Sequence, residues 1–243
     1  YYSGDKMALW SAGAVPIQKE QNPYVYRMVE NLCITAGLPA PKVYLIPEPM
    51  PNAFATGRDP KHASIALTTG LIERLENEEL EGVIAHELSH IKNYDIRLMT
   101  IAVALAGTIV ILSDWFLHMG FFGGRRNDNN RGGGALGTAI FVLGILMMIL
   151  APLIAQLIQL AISRRREFLA DASGALLTRY PAGLASALRK ISEYKQPMIH
   201  ASNATAHLYI ANPFGGSGKR LVAMFSTHPP IEDRIKALGE MII

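Results

Sequence analysis

A single cysteine, Cys33, among 243 residues leaves no partner for an intrachain disulfide; it is compatible with a reducing compartment and reads as a small buried residue. Charge is missing from two long stretches. Between Leu98 and Gly124 the only formal charge is Asp114, and Gly132–Ser163 carries none. A bilayer core takes about 20 apolar residues in a helix, so both stretches are long enough to cross one, and they predict a membrane hairpin. The alternative, a pair of buried core helices, would need an unusually large core for this chain. No basic stripe interleaves with aromatics, although Lys and Arg number 23 and the net charge is +3. That excludes nucleic acid as an expected partner. Internal repeats are absent. So are a starting Met and a signal-peptide pattern at Tyr1-Tyr2-Ser3-Gly4. Such an aromatic start reads as a cut just after membrane spans, which are expected upstream.

What is present is organised around Glu81–Ile91. Residues four apart share one helical face, so His86 and His90 can offer two imidazoles to one metal ion. Glu87 is offset by about a quarter turn, beside the metal, where it can hold a water. This is the H-E-x-x-H arrangement of zinc proteases. Val83, Ile84, Leu88 and Ile91 supply an apolar face at helical spacing. A structural histidine pair on an amphipathic helix would look the same over these five residues, so the rest of the chain has to decide.

Asn22, Pro23 and Gly37 bracket a helix over 24–36, with Val25, Met28, Leu32 and Cys33 inward. Lys42–Ile46 is a short strand, and Pro47–Pro51 a stiff loop. Asn52–Gly57 and Ala63–Leu67 read as two strands around a turn at Arg58–Lys61. Leu71–Leu75 is a short helix. Asn77 is expected to cap the next, which carries both histidines and should run to about Arg97. Asn52, Ala53, Phe54 and Ala55 are the candidate substrate-binding edge: the proline loop blocks continuation of the sheet, and small Ala53 and Ala55 admit another backbone. An ordinary strand with Phe54 in the core is the alternative.

A hairpin leaving a membrane surface at Leu98 and returning at Ser163 puts His90 roughly 12 Å and Glu167 roughly 6 Å above it, on the same side, at 1.5 Å per helical residue. Modest tilt is enough to bring Glu167 to the metal as a third ligand, although taken alone it reads better as a partner of Arg164, Arg165 and Arg166. Asp171, four residues on, can accept a ligand's ring N–H. The glycine-rich loop at 123–134 reads as a flexible turn, and the positive-inside rule puts the H-E-x-x-H side in the cytoplasm. Pro181–Tyr194 is an amphipathic helix with Leu184, Leu188 and Ile191 inward. Near the end Pro230 suits a helix start, with His228 and Arg234 facing in. His62, His200 and His207 are expected at the surface.

Asn52-Ala53-Phe54-Ala55, His86-Glu87-Leu88-Ser89-His90, the hydrophobic hairpin, Glu167-Phe168-Leu169-Ala170-Asp171 and Thr227-His228-Pro229-Pro230 occur in this order in the HtpX heat-shock membrane proteases. The chain resembles that family, a relative of the type I CaaX prenyl proteases, over nearly its whole length. The resemblance implies a mainly α fold with a small β-sheet (α+β), a zincin-like (gluzincin) domain interrupted by a transmembrane hairpin. Its parts would be 1–97 and 164–243, forming the protease domain, and 98–163, the hairpin. It implies one zinc per chain on His86, His90 and Glu167, with Asp171 behind them and Glu87 as base. His228 and Arg234 match positions associated with the transition state. The expected activity is endopeptidase cleavage of damaged membrane proteins in the bacterial inner membrane, with the site cytoplasmic. A non-catalytic zinc module would not need Glu87, and a prenyl-protein protease would require a lipidated C-terminal cysteine.

Overall fold

The structure, a computed structural model, describes residues 4–98, 164–200, 205–215 and 229–241, with isolated positions 101, 105, 108, 111, 150 and 202. The expected hairpin therefore lies almost entirely outside the described residues, as does His228. Among the described residues no helix is long and apolar enough to cross a membrane.

The elements run α1 (Gly4–Ser11), β1 (Val15–Pro16), α2 (Pro23–Ala36), β2 (Lys42–Ile46), β3 (Ala53–Gly57), a 3-10 turn, β4 (Ala63–Thr68), α3 (Thr69–Arg74), α4 (Asn77–Lys92), α5 (Arg164–Thr178), α6 (Pro181–Glu193), a second 3-10 turn (Ala206–Leu208) and α7 (Ile231–Gly239). The strands form one sheet in the order β1-β2-β4-β3. β2 runs parallel to β4, with Val43 opposite Ile65, and β3 runs antiparallel to it, with Ala55 opposite Ile65. The chain is thus mainly helical with a small sheet.

Strand periodicity of two sends alternate residues to opposite faces, and the cores divide accordingly. Ala53, Ala55, Ile65 and Leu67 meet the helical layer, whereas Phe54, Ala66 and Ile46 meet α1, Met50, Met198 and Tyr209. Phe54 is fully buried, edge-on to Tyr209 with centroids 5.1 Å apart. In α2 the Asn22 side chain accepts from the Val25 N–H, and Gly37 closes the helix at φ 70°. The inner stripe is Val25, Val29, Leu32 and Cys33, with Met28 at its margin.

At the centre is α4, packed against α5, α6, β3 and α2. Two glycines allow close approach. A Cβ on Gly174 of α5 would stand 2.9 Å from the His86 backbone nitrogen, and one on Gly82 2.9 Å from that of Leu184 in α6.

Two boundaries of α4 differ from the sequence reading. Glu76, not Asn77, is the cap: its side chain and that of Glu79 form a reciprocal capping box. Asn77 is already helical, its amide oxygen accepting from the Tyr24 hydroxyl. At the other end α4 stops at Lys92 instead of continuing to Arg97. Asn93 caps it, and Tyr94 takes a left-handed φ of 59°. The chain becomes helical again from Asp95.

Candidate metal centre

His86 and His90, one turn apart on α4, stand with their rings edge-to-face and their Nε2 atoms 3.2 Å apart. Glu167 arrives from α5, with one carboxylate oxygen 3.8 Å from His86 Nε2 and the other 3.5 Å from His90 Nε2. All three are buried, and their ligand atoms lie within 4.8 Å of one another. The structure thus brings Glu167 to the two histidines.

The outer nitrogens explain which atoms point inward. His86 Nδ1 lies 2.9 Å from Asp171 Oδ1, and His90 Nδ1 lies 3.0 Å from Asp95 Oδ2. With each Nδ1–H donated to a carboxylate, Nε2 is the atom each ring turns inward, a lone pair wherever the ring is neutral; that tautomer is assigned from its partners. The two Nε2 atoms stand 3.2 Å apart beside the Glu167 carboxylate, a donor set that a proton on His90 satisfies in the free protein. A small divalent cation can take that proton's place among the three groups. Two imidazole nitrogens and one carboxylate oxygen are the three-ligand set of a catalytic zinc site, with the fourth position left for water. The residues fit the ion.

Electrostatics of the protein groups follow from burial. Burial pushes the His86 imidazole down, ahead of the upward pull of Asp171. Burial also opposes protonation of His90, but the hydrogen bond to Asp95 and the charges of Glu167, Glu87 and Asp95 outweigh it, and its pKa rises to about 9. Glu87, beside both ligands, is 2% exposed. Burial, with Glu167 adding to it, raises its carboxyl to about 7 against His90, Arg234 and the Ala55 N–H.

Arg234, from α7, is fully buried behind this cluster. Its Nε and Nη2 donate to the two oxygens of Asp171 at 2.8 and 2.7 Å, and Nη1 donates to the Ile210 carbonyl at 3.2 Å. Nη1 also lies 3.6 Å from Glu167. That bidentate grip, with burial opposing it, holds the Asp171 carboxyl far below the usual carboxylate range. Arg234 faces inward, as the sequence implies, but its donors are spent on neighbouring protein groups.

The expected substrate edge is partly closed. Asn52 Oδ1 accepts from the Ala53 N–H at 3.1 Å and from the Ala211 N–H at 3.3 Å, while its Nδ2 donates to the Ala211 carbonyl at 3.0 Å. The Ile210 N–H donates to the Ala53 carbonyl at 2.9 Å. Asn52 and Ala53 thus dock residues 210–211 onto β3, and Phe54 belongs to the core. Of the four, Ala55 sends its N–H towards Glu87.

Asp95 and Arg166 were not foreseen. A continuous α4 would carry Asp95 off the His90 face; only the break at Asn93–Tyr94 returns it. Asn93, a residue that often ends helices, was the available signal. Elsewhere His62 pairs with Asp59 at the surface, and His200 is exposed.

A buried pair of histidines on one helical turn, a carboxylate from a second helix and an intervening glutamate define a metalloprotease. Residues 19–242 match peptidase family M48, and the chain belongs to that family. Curated proteins similar to it include the Protease HtpX homolog of Caldanaerobacter subterraneus subsp. tengcongensis, 51% identical over 100% of this chain and 80% of that one. The Protease HtpX homolog of Thermoanaerobacter pseudethanolicus is 50% identical over 99% of this chain and 79% of that one. Among solved structures, Ste24p of S. mikatae superposes with a TM-score of 0.56 at 17% identity, covering 97% of this chain and 55% of that one. That likeness speaks for the fold alone.

Proposed function

We propose that this metalloprotease is a zinc endopeptidase of the bacterial inner membrane that hydrolyses damaged or misfolded membrane proteins, with its active site facing the cytoplasm. The observation that carries the chemistry is the convergence of His86 Nε2, His90 Nε2 and Glu167 next to buried Glu87. The two long apolar stretches between Leu98 and Ser163, one with Asp114 as its only formal charge and one with none, and the lysines and arginines flanking them, support the membrane placement.

His86, His90 and Glu167 would hold one zinc ion per chain, and a bound zinc supplies Lewis acidity toward a water and the scissile carbonyl. Glu87 takes a proton from the attacking water and passes it to the leaving amine. Asp171 keeps the His86 ring turned inward, and Arg234 keeps Asp171 ionised and in place. Arg234 therefore acts through Asp171 and Glu167. His228 is left as the candidate for stabilising charge on the carbonyl oxygen. Unfolded segments of membrane proteins are the expected substrates and the lipid bilayer the expected surroundings.

The test is casein hydrolysis and zinc content of the full chain in detergent, for wild type and Glu87→Ala. The expected outcome is one zinc in both, with the variant's rate lower by at least about 100-fold, since a proton-transfer group and no ligand is lost. Comparable rates would remove Glu87 from the chemistry.

A further inference from the structure

Resting on the metal-centre reading above, we infer that Asp95, locked by Arg166, is a positioning residue for the ligand His90, and that this contact ties the metal centre to both stems of the segment 98–163. Asp95 is 1% exposed. One of its carboxylate oxygens lies 3.0 Å from His90 Nδ1, and the other accepts from Arg166 Nη1.

The backbone is built for this contact. Five residues on a continuous helix would turn Asp95 about 140° away from His90. Instead α4 ends at Lys92, Tyr94 takes a φ of 59°, and Asp95 comes within hydrogen-bond distance of the ring. A non-glycine residue in the left-handed region is uncommon and strained; the contact it permits gives that conformation a purpose.

The same unit occurs twice around the centre. His86 leans on Asp171, which Arg234 grips, and His90 leans on Asp95, which Arg166 grips. A carboxylate accepting Nδ1–H fixes the tautomer and the ring plane and makes Nε2 a better donor to a metal. The two units differ in their surroundings. Arg234 is completely buried, whereas the Arg166 side chain is 39% exposed. They differ in connection too. Asp95 lies three positions before Leu98 and Arg166 three after Ser163, so the second unit spans the chain entering the segment 98–163 and the chain leaving it. Arg166 also directly precedes Glu167. The orientation of one ligand ring and the placement of the carboxylate ligand consequently depend on the same pair of stems.

The experiment is zinc affinity by chelator competition on the full chain in detergent. It compares wild type, His86→Ala, Asp95→Ala, Asp95→Asn, Arg166→Ala and the double variant Asp95→Ala/Arg166→Ala, with the thermal midpoint of each zinc-free protein alongside. Asp95→Ala should weaken zinc by about 10- to 100-fold, with the zinc-free midpoint little changed. Asp95→Asn should recover most of that, because its amide oxygen still accepts the Nδ1–H. Arg166→Ala should weaken zinc less, and should add nothing once Asp95 is alanine, because it acts through Asp95. Affinity of Asp95→Ala within about twofold of wild type, no rescue by asparagine, or additive losses in the double variant would each overturn the inference. Should Asp95→Ala not fold, Asp95→Asn and Arg166→Ala carry the test, and wild-type affinity in Arg166→Ala overturns it. His86→Ala separates this from the reading beneath it. Zinc binding unaffected there would sink the metal centre itself, whereas zinc lost there and kept in the Asp95 variants would sink only the positioning role.

Discussion

Arg234 shows how much a single residue's role depends on what surrounds it. A buried guanidinium near a hydrolytic site suggests transition-state contact, and the sequence resemblance suggests it too. The geometry spends its Nε and Nη2 on Asp171 and its Nη1 on Ile210. Removing it leaves Asp171 and Glu167 buried without their countercharge, a loss of the kind that costs about 3–5 kcal/mol. Arg234→Ala should therefore lose stability by about that amount in denaturant unfolding. Arg234→Lys should fall between, since a point charge replaces the fork. A variant that unfolds like wild type but has lost its turnover would return Arg234 to the substrate. At this scale spacing and residue type singled out His86, Glu87 and His90, whereas Glu167 and Asp171 were candidates only once the expected hairpin and the family resemblance were set beside them. Asn52 was legible only as part of a strand. Its real partner, Ala211, lies 159 positions away, and nothing local marks such a pairing.

At the scale of elements, α4 is held where the site needs it by its ends. Its start depends on Glu79, whose carboxylate accepts from the Glu76 N–H, Ser186 and Lys190. Burial opposes ionisation of Glu79, yet those three donors prevail and hold its carboxyl below the ordinary value of 4.5. The sign follows. A carboxylate depressed in the fold contributes stability above its unfolded pKa and loses it as pH falls through the folded one. Glu79→Gln should thus cost about 1 kcal/mol near neutrality, and the gap to wild type should close below about pH 4 as the native carboxylate protonates. Urea unfolding at the two pH values measures it; a gap that stays constant with pH would assign the cost to packing instead. Periodicity and caps made α2, β2 and α6 legible to within a residue or so. The parallel β2–β4 pairing and the stop at Lys92 were not, because the first is set by long-range packing and the second by a single left-handed residue.

For the whole molecule, the order of elements puts His86, Glu87, His90, Glu167 and Asp171 on the two helices that flank the segment 98–163. α4 leads into that segment and α5 leads out of it, so an enzyme that acts at a membrane would have its metal within a few helical turns of the surface. The proposed orientation places Asn127 in the periplasm. A cysteine introduced there should react with an impermeant maleimide in intact spheroplasts. Native Cys33 will not compete, because burial raises its thiol to about 11. Labelling only after the membrane is permeabilised would reverse the topology. The central claim, that two imidazoles and one carboxylate form a catalytic metal site, is tested most directly by X-ray absorption at the zinc edge on the zinc-loaded full chain. The account predicts one zinc per chain with about four nitrogen and oxygen neighbours near 2.0–2.1 Å and no sulfur, two of the neighbours showing the outer-shell scattering of imidazole. A sulfur shell, a single imidazole, or an unchanged spectrum in His86→Ala would contradict it.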